Sequence, residues 1–267
     1  MGVCFMRLLF LAVFMGLMGL ARPAQAHECN KVIATAHPEY PPYHWKANGK
    51  IIGASVALTK KIFDELGIEF EARYEGPWKR VLSSAKAGRF DMVLALKKTQ
   101  ERALFLEFTT KPIAPNPFAV FMKANSAFEY DEWADLINKK GGKNAGDRYG
   151  GSFDSFAQKF LTLEDGFSTE SNLKKLLSGR TEYFIHGRYV GLAHFSTLKN
   201  GDQVKPLEVN INDGVIHSGF TKGSPCKVFL PYVSRRYGEM LQSGEAQRTL
   251  LEYVDRWAEF AKSEQKN

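Results

Sequence analysis

The run WKRVLSSAKAGRFDMVLALKKTQERALFLEFTTKP, Trp78 to Pro112, limits the possible folds more than any other part of the sequence. Trp78, Val81, Leu82 and Ala85 recur at helical spacing, and Gly88 stands where a left-handed cap would end that helix. Phe90 to Leu96 is short and mostly apolar, the mark of a strand covered on both faces. Lys97, Lys98, Thr99 and Arg102 follow at its carboxyl end, where open α/β sheets bind their ligands. A cationic, hydroxyl-bearing loop in that place points to an anionic group, most simply a carboxylate held by the arginine fork. The competing reading of Arg102 is a surface salt bridge.

The flanking chain repeats the pattern. Lys31 to Ala36 reads as a first strand, followed by the loop HPEYPPYHW. Its rings form an aromatic rim if they face outward, and a self-packed proline turn if they do not. Asn48-Gly49 marks a turn, Gly53 precedes a helix that Ser55 is placed to cap, and Ile68 to Tyr74 alternates as a second strand. Gly76-Pro77 then opens the Trp78 helix. Strand and helix alternating at this spacing make a parallel α/β unit with right-handed crossovers. From about Lys123 to Asn212 the same punctuation returns, and Gly150-Gly151-Ser152 leads into an amphipathic segment. That is a capped helix start, and exposed N–H groups at such a start can also hold an anion. Two amphipathic helices close the chain, Val228 to Gln242 and Glu245 to Lys262, broken at Ser243-Gly244.

The first 26 residues are of another kind. Arg7 gives a positive start, Leu8 to Leu20 is almost wholly apolar, and Ala24-Gln25-Ala26 is a small-x-small cleavage site. This reads as a secretory leader, too short for a membrane span, with the mature chain starting near His27. Cys4 precedes the apolar run and His27 follows Ala26, so no lipoprotein attachment signal is read. Without Arg7 and Arg22 of the leader, 34 basic residues face 29 acidic ones, a formal charge of +5. No basic run is interleaved with aromatics, which argues against nucleic acid as a partner. Cys29 and Cys226 remain, and an even pair in an exported chain favours a disulfide over two separate buried thiols.

Several of these features together resemble the family 3 extracytoplasmic solute-binding proteins, the polar amino-acid receptors of ABC importers. The resemblance rests on Gly88 and Asp91, the apolar strand, Thr99-x-x-Arg102 and Phe108-Thr109-x-x-Pro112, joined by Tyr40-Pro41-Pro42-Tyr43, Asn48-Gly49 and Gly53. It covers nearly all of the mature chain. It implies a two-lobed α/β fold of periplasmic binding protein type II, each lobe a mixed, mainly parallel sheet flanked by helices. Lobe 1 would hold residues 27–115 and 220–267 and lobe 2 residues 116–219, joined by two hinge strands near 114–119 and 214–220, where Phe220-Thr221-Lys222 matches the returning linker. The last helices would pack back on lobe 1, bringing Cys226 near Cys29.

The same resemblance assigns roles in the cleft. Tyr40, Tyr43 and Trp78 look like aromatic walls and Arg102 like a carboxylate clamp with Thr99 beside it. Gly151 and Ser152 fall where the second lobe meets the ligand carboxylate, with Arg148 near a basic ligand residue. Two departures stand out. The aspartate that usually binds the ligand's α-amino group is replaced where Gly179-Arg180 leads through Ile185 into His186-Gly187, so His186 lines the cleft or caps a strand end. Lys97-Lys98 replaces small residues in a loop about one residue shorter. Both tilt the cleft towards anionic ligands, organic acids or an acidic amino acid, with Glu39 or Glu75 the remaining candidates for an amino contact. The expected protein is a periplasmic, monomeric receptor without cofactor or metal, His37 and His44 included. It captures a carboxylate-bearing small molecule, closes on it, and presents it to an ABC permease. The alternatives are a cyclohexadienyl dehydratase-like enzyme using Arg102, His186 and Glu39, or a sensor for a membrane signalling partner.

Overall fold

In a computed structural model the described residues are 29–126, 129–145, 147 and 149–264. The leader and Arg148 lie outside them. The chain opens with β1 (Lys31–Thr35) and a small antiparallel sheet of β2 (Glu39–Tyr40), β3 (His44–Ala47) and β4 (Lys50–Ile52). It continues through α1 (Ala54–Glu65), β5 (Glu69–Ala72), α2 (Trp78–Lys86), β6 (Met92–Leu96), α3 (Gln100–Ala103), β7 (Leu106–Phe108) and β8 (Ala114–Pro115). The second body holds β9 (Phe118–Lys123), β10 (Lys140–Asn144), α4 (Gly151–Phe160), β11 (Thr162–Gly166), α5 (Thr169–Leu177), β12 (Tyr183–Gly187), α6 (Arg188–Phe195) and β13 (Val204–Asn210). The chain then returns through β14 (Val215–Thr221) to α7 (Leu230–Gln242) and α8 (Glu245–Glu264).

The first main sheet has the order β5-β1-β6-β14-β7, with β8 pairing β14. β1 runs parallel to β5 and β6, and β14 is antiparallel to its partners. The second has the order β11-β10-β12-β9-β13, parallel among β10, β11 and β12 and antiparallel at β9 and β13. Every residue of β6 and of β12 is buried, as the continuous apolar run of a doubly covered strand requires. Each sheet has a core on either face. On the first, the cluster containing Val32, Leu58, Ile62, Phe63 and Tyr237 lies under α1 and α7, and Val81, Val93 and Leu106 lie under α2. On the second, Val120, Phe153 and Ile185 meet α4, while Phe121, Leu173 and Phe184 meet α5. A fully buried side chain such as Phe121 or Phe184 contributes roughly 2–3 kcal/mol.

Gly88, with φ of 71°, follows α2 as the sequence suggests. Ser55 does not cap α1. Gly53 stands at the cap with φ of 134°, where a Cβ would sit 2.4 Å from the Tyr43 carbonyl oxygen, and the Ser55 hydroxyl donates instead to that carbonyl. The second strand is shorter than its alternating pattern, covering Glu69–Ala72 only. α7 begins at Leu230, after a 3-10 turn from Pro225 to Phe229, since Pro231 suits only a first helical turn. Cys29 and Cys226 are joined, closing a loop with a sequence separation of 197.

The bodies are connected where β8 and β14 run side by side, Val215 opposite Pro115 and Ile216 opposite Ala114. The Asn116 N–H donates to the Gly214 carbonyl at 2.6 Å. The Asn212 side chain ties both crossings, accepting from the N–H groups of Phe118 and Gly214 and donating to the Tyr149 carbonyl. No helix among the described residues is long and apolar enough to cross a membrane.

Candidate functional site

The carboxyl ends of β1 and β6 in one body, and of β10 and β12 in the other, face the region of the two crossings. This is the position in which open α/β sheets bind ligands. On the first body, β6 delivers Lys97 to Arg102. Thr99 caps α3, its hydroxyl accepting from the Arg102 N–H at 3.2 Å. The Arg102 guanidinium donates to the Lys97 carbonyl at 2.7 Å and lies 5.3 Å over the Trp78 ring. It is half-buried, and burial lowers its pKa, yet an arginine so placed remains a cation at neutral pH. The exposed Lys97 ammonium lies 5.4 Å from the Phe118 ring centre at the first crossing.

The aromatic loop divides into a wall and its foundation. Tyr40 is half-buried, stacked on Tyr43 at 5.2 Å, and its hydroxyl meets the Asn116 side-chain oxygen at 3.2 Å. Tyr43 is wholly buried and donates to the Pro115 carbonyl at 2.6 Å. The expectation that Tyr43 walls the ligand is therefore corrected: it offers a ligand no surface and anchors the crossing strand, because its ring is spent on Tyr40 and Tyr189. His37 approaches Trp78 at 5.4 Å and Tyr40 at 6.5 Å.

On the second body α4 starts at Gly151, with Gly150 at its cap, and Gly151 and Ser152 are exposed. The N–H groups of Tyr149 and Gly150 donate to the Asp154 carboxylate, so the chain itself supplies an anion to this helix start. His186 is the penultimate residue of β12 and is 8% exposed, with Phe184 at 5.2 Å and His194 at 5.8 Å. Its Nδ1 lies 3.5 Å from the Asn144 amide and its Nε2 3.3 Å from the Thr169 hydroxyl. Burial takes its pKa down to about 3, leaving it neutral and a poor proton donor. Of the acids considered from sequence, Glu75 accepts from Ser84 and lies 3.8 Å from Arg89, while Glu39 is exposed in the aromatic loop.

Asp147 supplies the carboxylate that sequence reading did not find. It is half-buried, and burial raises its pKa against the opposing pull of Lys143, of Lys97 in the other body and of a hydrogen bond from Asn144. Its charge also reaches Tyr40. The region between the bodies thus sets Arg102 and Lys97 on one side against Asp147 on the other. Arg102, Lys97, Trp78 and Tyr40 are gathered on the first body. Gly151, Ser152 and His186 belong to the second, His186 below the surface.

The model of the bacterial extracellular solute-binding proteins, family 3, matches residues 32–257. Among solved structures, the second substrate-binding domain of a putative amino acid ABC transporter from Streptococcus pneumoniae is 17% identical, with a TM-score of 0.69 over 84% of this chain and 99% of that one. The second substrate-binding domain of GlnP from Lactococcus lactis, in an open conformation, is 15% identical, with a TM-score of 0.68 over 85% and 96%. A histidine kinase sensor domain with similarity to periplasmic binding proteins is 21% identical, with a TM-score of 0.55 over 84% and 95%.

Proposed function

The chain belongs to the bacterial extracellular solute-binding proteins, family 3, and from that premise we propose that it is a receptor for a small carboxylate-bearing solute, an amino acid before a plain organic acid. Its fold is the two-lobed α/β fold of periplasmic binding protein type II, like that of its structural neighbours. The observation that carries the reading is the opposition of Arg102 and Lys97 in lobe 1 to Asp147 in lobe 2. A carboxylate suits the arginine, an ammonium suits the aspartate, and Tyr40 and Trp78 cover the body between them. Asp147 thereby takes the place of the amino-binding aspartate missing at His186, and shifts the ligand class away from dianions.

Capture proceeds from lobe 1, where Lys97 stands exposed and Arg102 is half-buried beside Trp78, and lobe 2 closes by bending at the β8 and β14 crossings. The closed form is what an ABC permease would read, since ligand binding can shift the balance of conformations only by its differential affinity for them. A sensory role is the second reading, favoured by the likeness to a histidine kinase sensor domain. The acid–base enzyme reading loses ground because His186 is buried and neutral.

A thermal-shift screen of amino acids, dicarboxylates, aromatic acids and amines tests the proposal. A ligand at a hundred times its dissociation constant adds about 2.7 kcal/mol of stability. An amino acid should shift the melt, Arg102→Ala should abolish the shift, and Asp147→Asn should weaken binding about tenfold for amine-bearing ligands alone. Turnover of the ligand, or a shift insensitive to Arg102→Ala, would sink it.

A further inference from the structure

The two crossing strands are not the whole connection between the lobes. α6 follows β12, and one stripe of it is fixed to lobe 2. The Arg188 guanidinium donates to the Asn210 side-chain oxygen at 2.7 Å and to the Leu207 and Glu208 carbonyls. Gly191 lies so close to β9 that an added Cβ would stand 2.5 Å from the Phe121 ring, and Phe195 meets the same ring edge-on at 5.1 Å. Residues three and four apart share a helix face, so Arg188, Gly191 and Phe195 form one side of α6.

The other stripe crosses to lobe 1. Tyr189 and Val190 are 5% and 6% exposed, and both belong to the core that holds Tyr43, Leu58 and Phe63, not to either core of lobe 2. Tyr189 stands edge-on to Tyr43 at 6.4 Å. One turn further on, Ala193 is wholly buried and α6 packs against α8. α8 is anchored in lobe 1, where Glu245 pairs with Lys61 of α1 and Trp45 meets Trp257 at 5.3 Å and Tyr253 at 6.1 Å. A lobe 2 helix is thus seated on lobe 1 outside the cleft.

Rotation of lobe 2 about the crossings carries α6 across this seat. Packed contacts of such a kind hold discrete arrangements and do not deform smoothly. The seam is made while the cleft stands open: Lys97, Lys98 and Thr99 on one lobe and Gly151 and Ser152 on the other are exposed, and Phe167, just past the carboxyl end of β11, is 100% exposed.

We propose that the seam of Tyr189 and Val190 against Tyr43 and α8 is a brake, an apolar contact between the lobes that holds the protein open and is given up on closure. It sets the fraction of molecules able to close, and through that fraction the affinity for whatever the cleft takes.

Distances between nitroxide labels at Lys79→Cys and Phe167→Cys, read by pulsed double electron–electron resonance, test this without any ligand, so the outcome stands apart from the proposed receptor function. The full chain carries Cys4→Ser, and the bonded Cys29 and Cys226 are left in place. Lys79 is exposed at the start of α2, on the rim facing Phe167. The parent chain should give one long separation. Val190→Ala removes two methyl groups from the seam and should raise a shorter-distance population about tenfold. Tyr189→Leu should raise it as well, and decides the matter should Val190→Ala fold poorly. Phe195→Leu, on the stripe facing lobe 2, should lower the melting temperature and leave the distances unchanged. Unchanged distances in both folded seam variants would overturn the proposal, as would a shift to longer ones. An equal response in Phe195→Leu would overturn it too, by reducing the effect to a general loosening of α6.

Discussion

The two faces of the cleft are built on opposite terms. The lobe 1 face presents charge and flat aromatic surface on short segments that pack on one another: Arg102 on Trp78 and Tyr40 on Tyr43. The lobe 2 face is mostly matched within itself, with His186 held between Asn144 and Thr169 and Asp154 engaging the start of α4. The contrast teaches that affinity and discrimination can reside on different lobes. Under the proposed receptor reading, the cation and rings of lobe 1 give the first encounter, and Asp147 of lobe 2 adds the discrimination.

Stability should separate the lobes most. Replacing Cys29 and Cys226 together by serine removes a loop constraint worth at most about 5 kcal/mol. Hydrogen exchange should then show β1 and β6 losing protection while β10 and β12 keep theirs. Equal loss in all four strands would mean that the lobes unfold as one unit. Arg102→Ala should lower ligand affinity about a hundredfold, about 3 kcal/mol, against less than about threefold for Ser152→Ala on the other lobe. Titration calorimetry returning the reverse order would move the anchor to lobe 2.

Acid should act on both lobes alike, through His44 in lobe 1 and His186 in lobe 2. Burial holds each neutral, with a pKa taken down to about 3. The unfolded value is near 6.5. Between those limits the unfolded chain binds protons that the folded chain does not. Stability present above pH 6.5 is therefore lost as the pH falls, by up to about 1.4 kcal/mol per pH unit for each histidine. Urea unfolding from pH 6.5 to 4 should show a slope that flattens in His186→Asn and again in the double variant with His44→Asn. The smallest effect belongs to Ala95, which has φ of 42° at the cleft end of β6, a conformation that costs a residue with a Cβ about 1 kcal/mol. Ala95→Gly should raise the melting temperature slightly, and a decrease would show that the Cβ contributes more by packing than it costs in strain.

Much of lobe 1 could be read from the chain because its signals are local. The helical spacing from Trp78, the turn at Gly88 and the apolar run of β6 each specify an element within a few residues. The family's own pattern also lies largely there. Tyr40 and Tyr43 show where such reading ends, for two tyrosines of one motif part company according to what the crossing strands place over them. Ser55 was legible as a helix-start residue but not as a partner of the Tyr43 carbonyl, a contact set by the close approach at Gly53. Asp147 lay hidden for a different reason. It follows β10 in a segment with no periodicity, and its significance comes from Lys97 and Tyr40, which belong to the other lobe. The seam between α6 and α8 was equally silent, since the two helices meet only once α8 has folded back.

The side-by-side pairing of β8 and β14 limits the freedom left to the two bodies. Translation of one strand past the other would break the Asn116 to Gly214 hydrogen bond and the Asn212 ties, whereas rotation about the pair preserves them. What remains is in essence a single angle. Displacement under a rotation grows in proportion to distance from the axis, so groups beside the pin, Asn116 and Tyr40 among them, scarcely change their relative positions. Groups at the outer rim travel farthest. Anything that tells a filled cleft from an empty one can gain little by touching the protein near the crossings, and has to gauge the distance between the two rims.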